Sequence, residues 1–465
     1  MDIKEVVNNQ REFYNKHILD DINVRIKKLK QLKKIIIENE KEINDALEAD
    51  LGKSNFESYM TEVGLVLSEI SYMIKHLKKF NKKKYVYTPL SQFPAISFKK
   101  PVSYGVVLII APWNYPFLLS IQPLVGAIAS GNCVILKPSE YSVNTSNIIE
   151  KLIKKIFKEE FVTVIQGEKE VSQELLEQKF DYIFYTGSTR VGKIVMKEAA
   201  NNLTPVTLEL GGKSPVIVDD TSSYKLAAKR IIFGKILNAG QTCVAPDYIL
   251  VDRKIKKDFV NYLKTNIKAF LGENILENSN YPKIINKKQY DRLESLIRLN
   301  ENNITFGGNS NLSKLKIEPT LIELGSIKEI DKIKNNNIME DEIFGPILPI
   351  IEYNNIDEAI EYIKNKPRPL ALYLFTKSKN NEKKILTNIR FGGGCINDTI
   401  IHLANEKLGF GGIGASGMGQ YHGKKSLETF SHYVSVIKKS NLIDLPIRYH
   451  SYTKLKESLL RIFLK

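Results

Sequence analysis

The chain has 465 residues, of which 43% are hydrophobic and 26% charged. That composition suits a soluble globular protein, and the length exceeds one ordinary core, so two or three domains are expected. The net charge of +16 raises nucleic-acid binding. However, the Lys-rich run 27–34 interleaves lysine with leucine as a solvated helix face does, and no reader motif accompanies it, so no nucleic-acid partner is expected. Three isolated cysteines without a CxxC pair, and six histidines without an HxxxH pair, argue against a disulfide framework and a metal site, and fit a reducing, cytoplasmic location.

In chain order, residues 3–50 read mostly as amphipathic helix, with Ile22, Ile26, Leu29 and Leu32 at four- and three-residue spacing. A second helical region covers 57–81. Between 82 and 103 short strand-like pieces surround Pro89, Pro94 and Pro101, the pattern of a hairpin or arm. From Gly105 the rhythm becomes strand, turn, helix, with strands at 106–110, 133–136, 161–165, 182–185 and 206–210. Apolar strands separated by helices imply a parallel, doubly wound sheet. After Gly211-Gly212 a second α/β rhythm follows. Its strands lie near 215–218, 248–251, 346–351, 371–375 and 394–397, with Asn-rich surface loops at 300–303 and 335–337. The β-branched run 433–437 suits a strand at an edge or in a partner's sheet. No apolar run reaches about 18 residues and the N-terminus lacks an apolar signal core, so neither a membrane span nor a leader is expected.

Catalytic and ligand-binding groups in open α/β sheets collect at strand carboxyl ends. Asn114, Lys137 with Glu140, Gly187-Ser188 and Glu209 all fall at such ends, and four around one sheet edge imply a nucleotide cleft. Gly187-Ser188-Thr189 offers N–H groups to a pyrophosphate, or is an ordinary N-cap. Lys137 and Glu140 suit ribose hydroxyls, or form a surface turn held by Pro138. Glu209 beside Gly211-Gly212 reads as a helix cap, a surface charge or a general base. Glu342-Ile343-Phe344-Gly345-Pro346 is a rigid acidic turn. The GxGxxG at 409–414 neither follows a strand nor opens a helix, so it is not a dinucleotide fingerprint. Cys243, in Gly240-Gln241-Thr242-Cys243, is a small buried filler or a reactive thiol on a tight turn. Cys133 reads as core and Cys395 as structural, and His402 and His422 remain unassigned.

Pro112-Trp113-Asn114-Tyr115-Pro116, Leu208-Glu209-Leu210-Gly211-Gly212-Lys213-Ser214-Pro215, Gly240-Gln241-Thr242-Cys243 and Glu342-Ile343-Phe344-Gly345-Pro346 occur in that order. Together they resemble the signature set of the aldehyde dehydrogenase superfamily. The stretches 180–189 and 242–248 resemble its class 3, fatty-aldehyde-type branch. The resemblance implies a Rossmann-like cofactor domain, 1–81 with 104–209, and an α/β catalytic domain, 210–427. It further implies a small β oligomerisation element, 82–103 with 428–440, followed by a tail, 441–465. It implies NAD(P)-dependent oxidation of an aldehyde to an acid, with NAD or NADP as cofactor and a homodimer as the assembly. Carried over by motif, Cys243 is the nucleophile, Glu209 the general base and Asn114 the oxyanion donor. Lys137 and Glu140 would bind the adenosine ribose, Gly187 and Ser188 the pyrophosphate region, and Glu342 the nicotinamide ribose. Trp113 and Phe344 would contact the nicotinamide side of the cofactor site.

Glu168 and Arg190 depart from the family pattern, which leaves the choice between NAD and NADP open. The membrane-anchoring tail of some fatty-aldehyde members is not matched by 459–465, which is too short and too charged. The helical run before Cys243 ends with its negative pole toward the thiol. Glu209 and a cationic nicotinamide are therefore expected to supply the activation. A CoA-acylating dehydrogenase and a non-catalytic protein with this fold are the competing readings.

Overall fold

The computed structural model describes residues 2–330 and 337–464. Of the expected Asn-rich loop at 335–337, residues 335–336 lie outside the described residues. The other Asn-rich stretch is exposed and includes the short turn Glu301–Asn303.

Two mainly parallel sheets, each with one antiparallel edge strand, organise the chain. The first runs Gly417–Met418, Val206–Glu209, Tyr182–Thr186, Val106–Ile110, Cys133–Lys137, Val162–Val164 in space. All neighbours are parallel except the two-residue edge strand. Every residue of Val106–Ile110 and Cys133–Lys137 is buried, because helices cover both faces. From Val106–Ile110 the chain first winds out to Val162–Val164 and then returns to the other side with Tyr182–Thr186. The crevice at such a reversal is where ligands bind in this architecture. The turns leaving those two inner strands carry Asn114 and Gly187.

The second sheet runs Ile304–Phe306, Thr320–Ser326, Ile347–Tyr353, Tyr248–Asp252, Pro215–Val218, Ala371–Phe375, Gly393–Ile396. The sequence reading found the five strands after Gly212 but not Ile304–Phe306 or Thr320–Ser326. In the latter, Glu323 and Gly325 break the apolar run that marks a buried strand. Each sheet has its own apolar core. The segment from Tyr421 to Phe430 returns to the first core, where Tyr421, Leu427 and Phe430 are almost fully buried.

The expected arm is a hairpin. Lys84–Val86 pairs antiparallel with Ala95–Ser103, which pairs in turn with the tail strand Ser431–Lys439. The N-terminal helices Ile3–Tyr14, Ile22–Glu38 and Glu40–Leu51 turn apolar stripes inward, with Leu29, Leu32, Ile36 and Leu47 at 0–1% exposure. Burying each such side chain stabilises the fold by about 1.5–3 kcal/mol. Among the described residues no helix is long and apolar enough to cross a membrane, and no group of three or more metal-ligating side chains gathers.

Candidate active site

A cavity of about 760 Å³ lies over the carboxyl ends of the first sheet and extends to the second. Its wall brings together Trp113, Asn114, Gly187, Ser188, Glu209, Cys243, Glu342 and Phe344. Lys137 and Glu140 are not on that wall. They form an ion pair at 2.9 Å, one strand further along the sheet edge, with Lys137 only 2% exposed.

The Cys243 loop owes its shape to three consecutive left-handed residues. Helix Tyr224–Ile236 is followed by Asn238, Ala239 and Gly240 at φ of +50°, +51° and +74°. Asn and Gly tolerate that region and Ala does not, so Ala239 is strained. A Cβ on Gly240 would collide with the Gly345 backbone, so this position also sets how closely the loop approaches the Glu342 turn. Cys243 is half-buried. Its pKa is raised by burial, then by the neighbouring carboxyls of Glu342 and Glu209, while the backbone N–H groups of Cys243 and Val244 favour the thiolate. Desolvation is the largest cause holding the proton on the thiol. Glu209, too, works against the thiolate rather than for it.

Asn114 lies in the turn between strand Val106–Ile110 and helix Pro116–Ser130, whose first residue is a proline suited to that place. The side chain is 3% exposed, and its Nδ2 donates to the Gln241 carbonyl at 3.0 Å. The hydroxyls of Tyr115 and Thr242 bond at 2.7 Å, a further stitch between the turn and the Cys243 loop. Trp113 meets Phe344 edge to face, with centroids 5.3 Å apart.

Glu209 ends strand Val206–Glu209 at 3% exposure, and neither carboxyl oxygen has a hydrogen-bond partner among the described residues. Burial alone raises its pKa well above the ordinary carboxylate range. Glu342 as a residue is only half-buried, but its Oε1 is enclosed without a partner. Its pKa is pushed up to about 8 by burial and by the nearby Asp247, against the Gly212 N–H, Lys213 and Arg292. Lys213 anchors the Glu342 turn. Its Nζ bonds Asp247 at 2.5 Å and the carbonyls of Ile338 and Asp341 at 2.8 and 2.9 Å. Asp247 in turn accepts from the Ile343 N–H at 2.9 Å.

Ser188 caps helix Thr189–Ala200 by accepting from Val191 N at 3.4 Å. The turn is thus an N-cap, with Gly187 and Ser188 on the cavity wall and the Gly187 N–H held by the Glu209 carbonyl at 2.9 Å. Arg190 beside it and Glu168 are exposed. The 409–414 loop opens no helix, and Phe410 bridges to Tyr421 and stacks on His422 with rings 5.3 Å apart. Burial lowers the pKa of His422, on the cavity wall, to about 3 and of His402, behind it, to about 4. Cys133 is fully buried in its strand, and Cys395 lies 3.5 Å from His402 Nδ1. Sequence reasoning gave no role to Lys53, Glu62, Asn238 or Tyr421 around the site, and it met Gln241 and Asp247 only as members of the stretches around Cys243.

The profile of the aldehyde dehydrogenase family matches residues 1–436. The chain belongs to the aldehyde dehydrogenase family. It is 47% identical to the 4,4'-diaponeurosporen-aldehyde dehydrogenase of Staphylococcus aureus over 463 residues, which is 100% of this chain and 99% of that one. It is 43% identical to the mouse (Mus musculus) aldehyde dehydrogenase family 3 member A2 over 411 residues, 88% of this chain and 83% of the relative. The solved substrate-bound state of Staphylococcus aureus AldH superposes with a TM-score of 0.96 at 47% identity, covering both chains fully. The betaine aldehyde dehydrogenase of Staphylococcus aureus in complex with NAD+ superposes with 0.84 at 26% identity, over 97% and 90% of the two chains. The chain is thus an NAD(P)-dependent aldehyde dehydrogenase of the α/β, Rossmann-like fold. Its family 3 relatives agree with the class 3 resemblance.

Proposed function

We propose that Cys243, Asn114 and Glu209 carry the aldehyde oxidation, each in the role its motif implies. The observation that supports this most is that all three line one cavity, with Glu342, Phe344, Trp113, Gly187 and Ser188 on the same wall. The Cys243 thiolate attacks the aldehyde carbon, and the carbonyl oxygen becomes an oxyanion facing the Asn114 amide and a backbone N–H. NAD(P)+ bound against this wall would supply the hydride acceptor, and Cys243 carries the resulting thioester. Glu209 takes a proton from the attacking water, and the carboxylic acid departs as the thiol is restored. A carboxyl without hydrogen bonds in a poorly hydrated wall suits proton transfer, since its raised pKa brings it closer to that of its task.

The residues present fit the cofactor. The partnerless Glu342 Oε1 would accept from the nicotinamide ribose, and Phe344 and Trp113 would flank the ring. The Gly187-Ser188 turn would bring the N-terminus of helix Thr189–Ala200 to the pyrophosphate, with the Gly187 N–H itself held by the Glu209 carbonyl, and the Lys137–Glu140 pair would meet the adenosine ribose. Leu65, Leu118, Leu119, Phe233, Ile401 and Leu403 give the remaining wall an apolar character, which fits a long or bulky apolar aldehyde. The 47% identical relative of Staphylococcus aureus is named for one aldehyde, 4,4'-diaponeurosporen-aldehyde, which belongs in the panel below. A panel of short, aromatic and long-chain aldehydes assayed with NAD+ and NADP+ tests this, and preference for short polar aldehydes would overturn it.

Glu209 at the cavity favours water over CoA as the acyl acceptor; acid release without CoA separates the two. The domain limits 1–81 with 104–209, 210–427, 82–103 with 428–440, and 441–465 are proposed on the same footing, as are a homodimer and a cytoplasmic location. The outer edge of Ser431–Lys439 has no strand partner among the described residues, which supports pairing with a second copy. Sedimentation of the purified chain tests the dimer.

A further inference from the structure

Behind Asn114 stands a pair of charges that no solvent reaches. Lys53 and Glu62 are both 0% exposed, with Lys53 Nζ 2.6 Å from Glu62 Oε1. Their other bonds fall on the turn that carries Asn114. Lys53 Nζ donates to the Asn114 carbonyl oxygen at 3.2 Å and lies 3.9 Å from the centre of the Tyr115 ring. Glu62 Oε2 accepts from the N–H groups of Phe117 and Leu118 at 2.9 and 3.1 Å. Those groups open helix Pro116–Ser130 and have no partner within it. Glu62 sits in the π turn Tyr59–Val63, a local widening that recurs at functional sites.

The Cys243 loop grips the same turn from the other side. Asn238 Nδ2 donates to the Asn114 carbonyl at 2.6 Å and to the Gln241 carbonyl at 3.1 Å. The Gln241 carbonyl also accepts from Asn114 Nδ2 at 3.0 Å. The Asn114 peptide is therefore clamped between Lys53 and Asn238. Its side-chain amide leaves that clamp along the loop that ends in Cys243. A buried ion pair is a weak contributor to stability but a stiff constraint, because neither charge can leave the other without being stranded.

We propose that Lys53, braced by Glu62, is a positioning residue for the amide of Asn114, and that it sets the rate of attack on the aldehyde while touching neither substrate nor cofactor. The proposal rests on the reading of Asn114 as the oxyanion donor. A group displaced by about 1 Å from its productive place costs on the order of 100-fold in rate. A pair that only capped a helix would instead lower stability and leave each folded site at full rate.

The test is the double variant Lys53→Met with Glu62→Gln, which removes both charges together and keeps an acceptor for the helix N–H groups. The readout is the rate constant of the first-turnover NADH burst, normalised to titrated Cys243 thiol, in wild type and in Asn114→Ala. We expect a loss of about 10- to 100-fold in the wild-type background, with the cofactor KM within about 2-fold. In the Asn114→Ala background the same pair of substitutions should change the burst less than about 3-fold, since what it positions is gone. An unchanged burst with a lowered Tm overturns the proposal, and so does a loss that multiplies fully with that of Asn114→Ala. If Asn114→Ala alone leaves the burst intact, the oxyanion reading itself fails. If that variant is slow and the Lys53 variants are not, only the present proposal fails. Should the double variant not fold, Lys53→Arg serves. It keeps the charge beside Glu62 but forces a larger head against the Asn114 carbonyl, and a normal burst in that variant counts equally against the proposal.

Discussion

The two sides of the cavity are built in opposite ways. On one side, the loop ending at Cys243 is bonded at nearly every polar group. Asn238, Gln241 and Thr242 hold Asn114 and Tyr115, and Gln241 further bonds the backbone at Lys283 and Ile285. On the other side, Glu209 is as deeply buried as Asn114, and its carboxyl has no hydrogen-bond donor among the described residues. Had Glu209 been pinned by N–H groups, its pKa would be depressed and it would be a poor proton acceptor. Had the Cys243 loop been left unbonded, the thiol and the Asn114 amide would not share one fixed geometry. The geometry-critical groups are locked, and the proton-carrying group is left free to change its charge.

The largest break in this comparison comes from the locked side. Cys243→Ala should fold and bind cofactor while aldehyde oxidation falls by about 10⁴-fold or more; measurable turnover by that variant would remove Cys243 from the chemistry. On the free side, Glu209→Gln should slow steady-state turnover by about 10²- to 10⁴-fold while the first-turnover burst survives. Loss of the burst as well would show that the two sides do not act separately. Because the folded-state pKa of Glu209 is raised, its base form disappears as pH falls through that pKa. Wild-type turnover should therefore decline on the acid side, and this limb should vanish in Glu209→Gln. Asn114→Ala should come next, with a loss of roughly 10²-fold in the burst itself, read by stopped-flow absorbance.

How much of this was legible in the sequence follows from where the signals live. The first sheet was readable because its inner strands are continuous apolar runs, as with Val106–Ile110. Thr320–Ser326 was not, because a charge and a glycine interrupt it. Cys243, Glu209 and Asn114 stood out through motif resemblance and their place at strand or helix ends. Lys53 carries no such mark. It lies in the turn after helix Glu40–Leu51, and only the tertiary fold brings it to Asn114, 61 positions along the chain. The shape of the Cys243 loop was hidden for a related reason. Non-glycine residues in left-handed conformation, Asn238 and Ala239, cannot be foreseen from a pattern that otherwise reads as a helix stop.

The smallest expected effect is one of stability, and it lies on the locked side. Glu57 Oε1 accepts from the Asn238 N–H at 2.6 Å, which ties helix Asn55–Ser58 to the start of the left-handed turn. Burial pushes the Glu57 pKa up to about 7 against the partial relief of Lys53 and of that N–H. In the unfolded chain the group titrates near the ordinary carboxylate value. Between that value and about pH 7 the folded protein holds a proton that the unfolded chain has released, so stability falls as pH rises through the window. The size is on the order of 1–3 kcal/mol, and Glu69, raised to about 7 by burial as well, acts in the same direction. Comparing wild type with Glu57→Gln isolates the Glu57 share, since glutamine keeps an acceptor for Asn238 and cannot titrate. Urea unfolding at pH 5 and pH 7.5 should show wild type losing more stability than the variant over that interval. Equal losses would mean that Glu57 ionises in place without cost, and that the locked side is more hydrated than its burial implies.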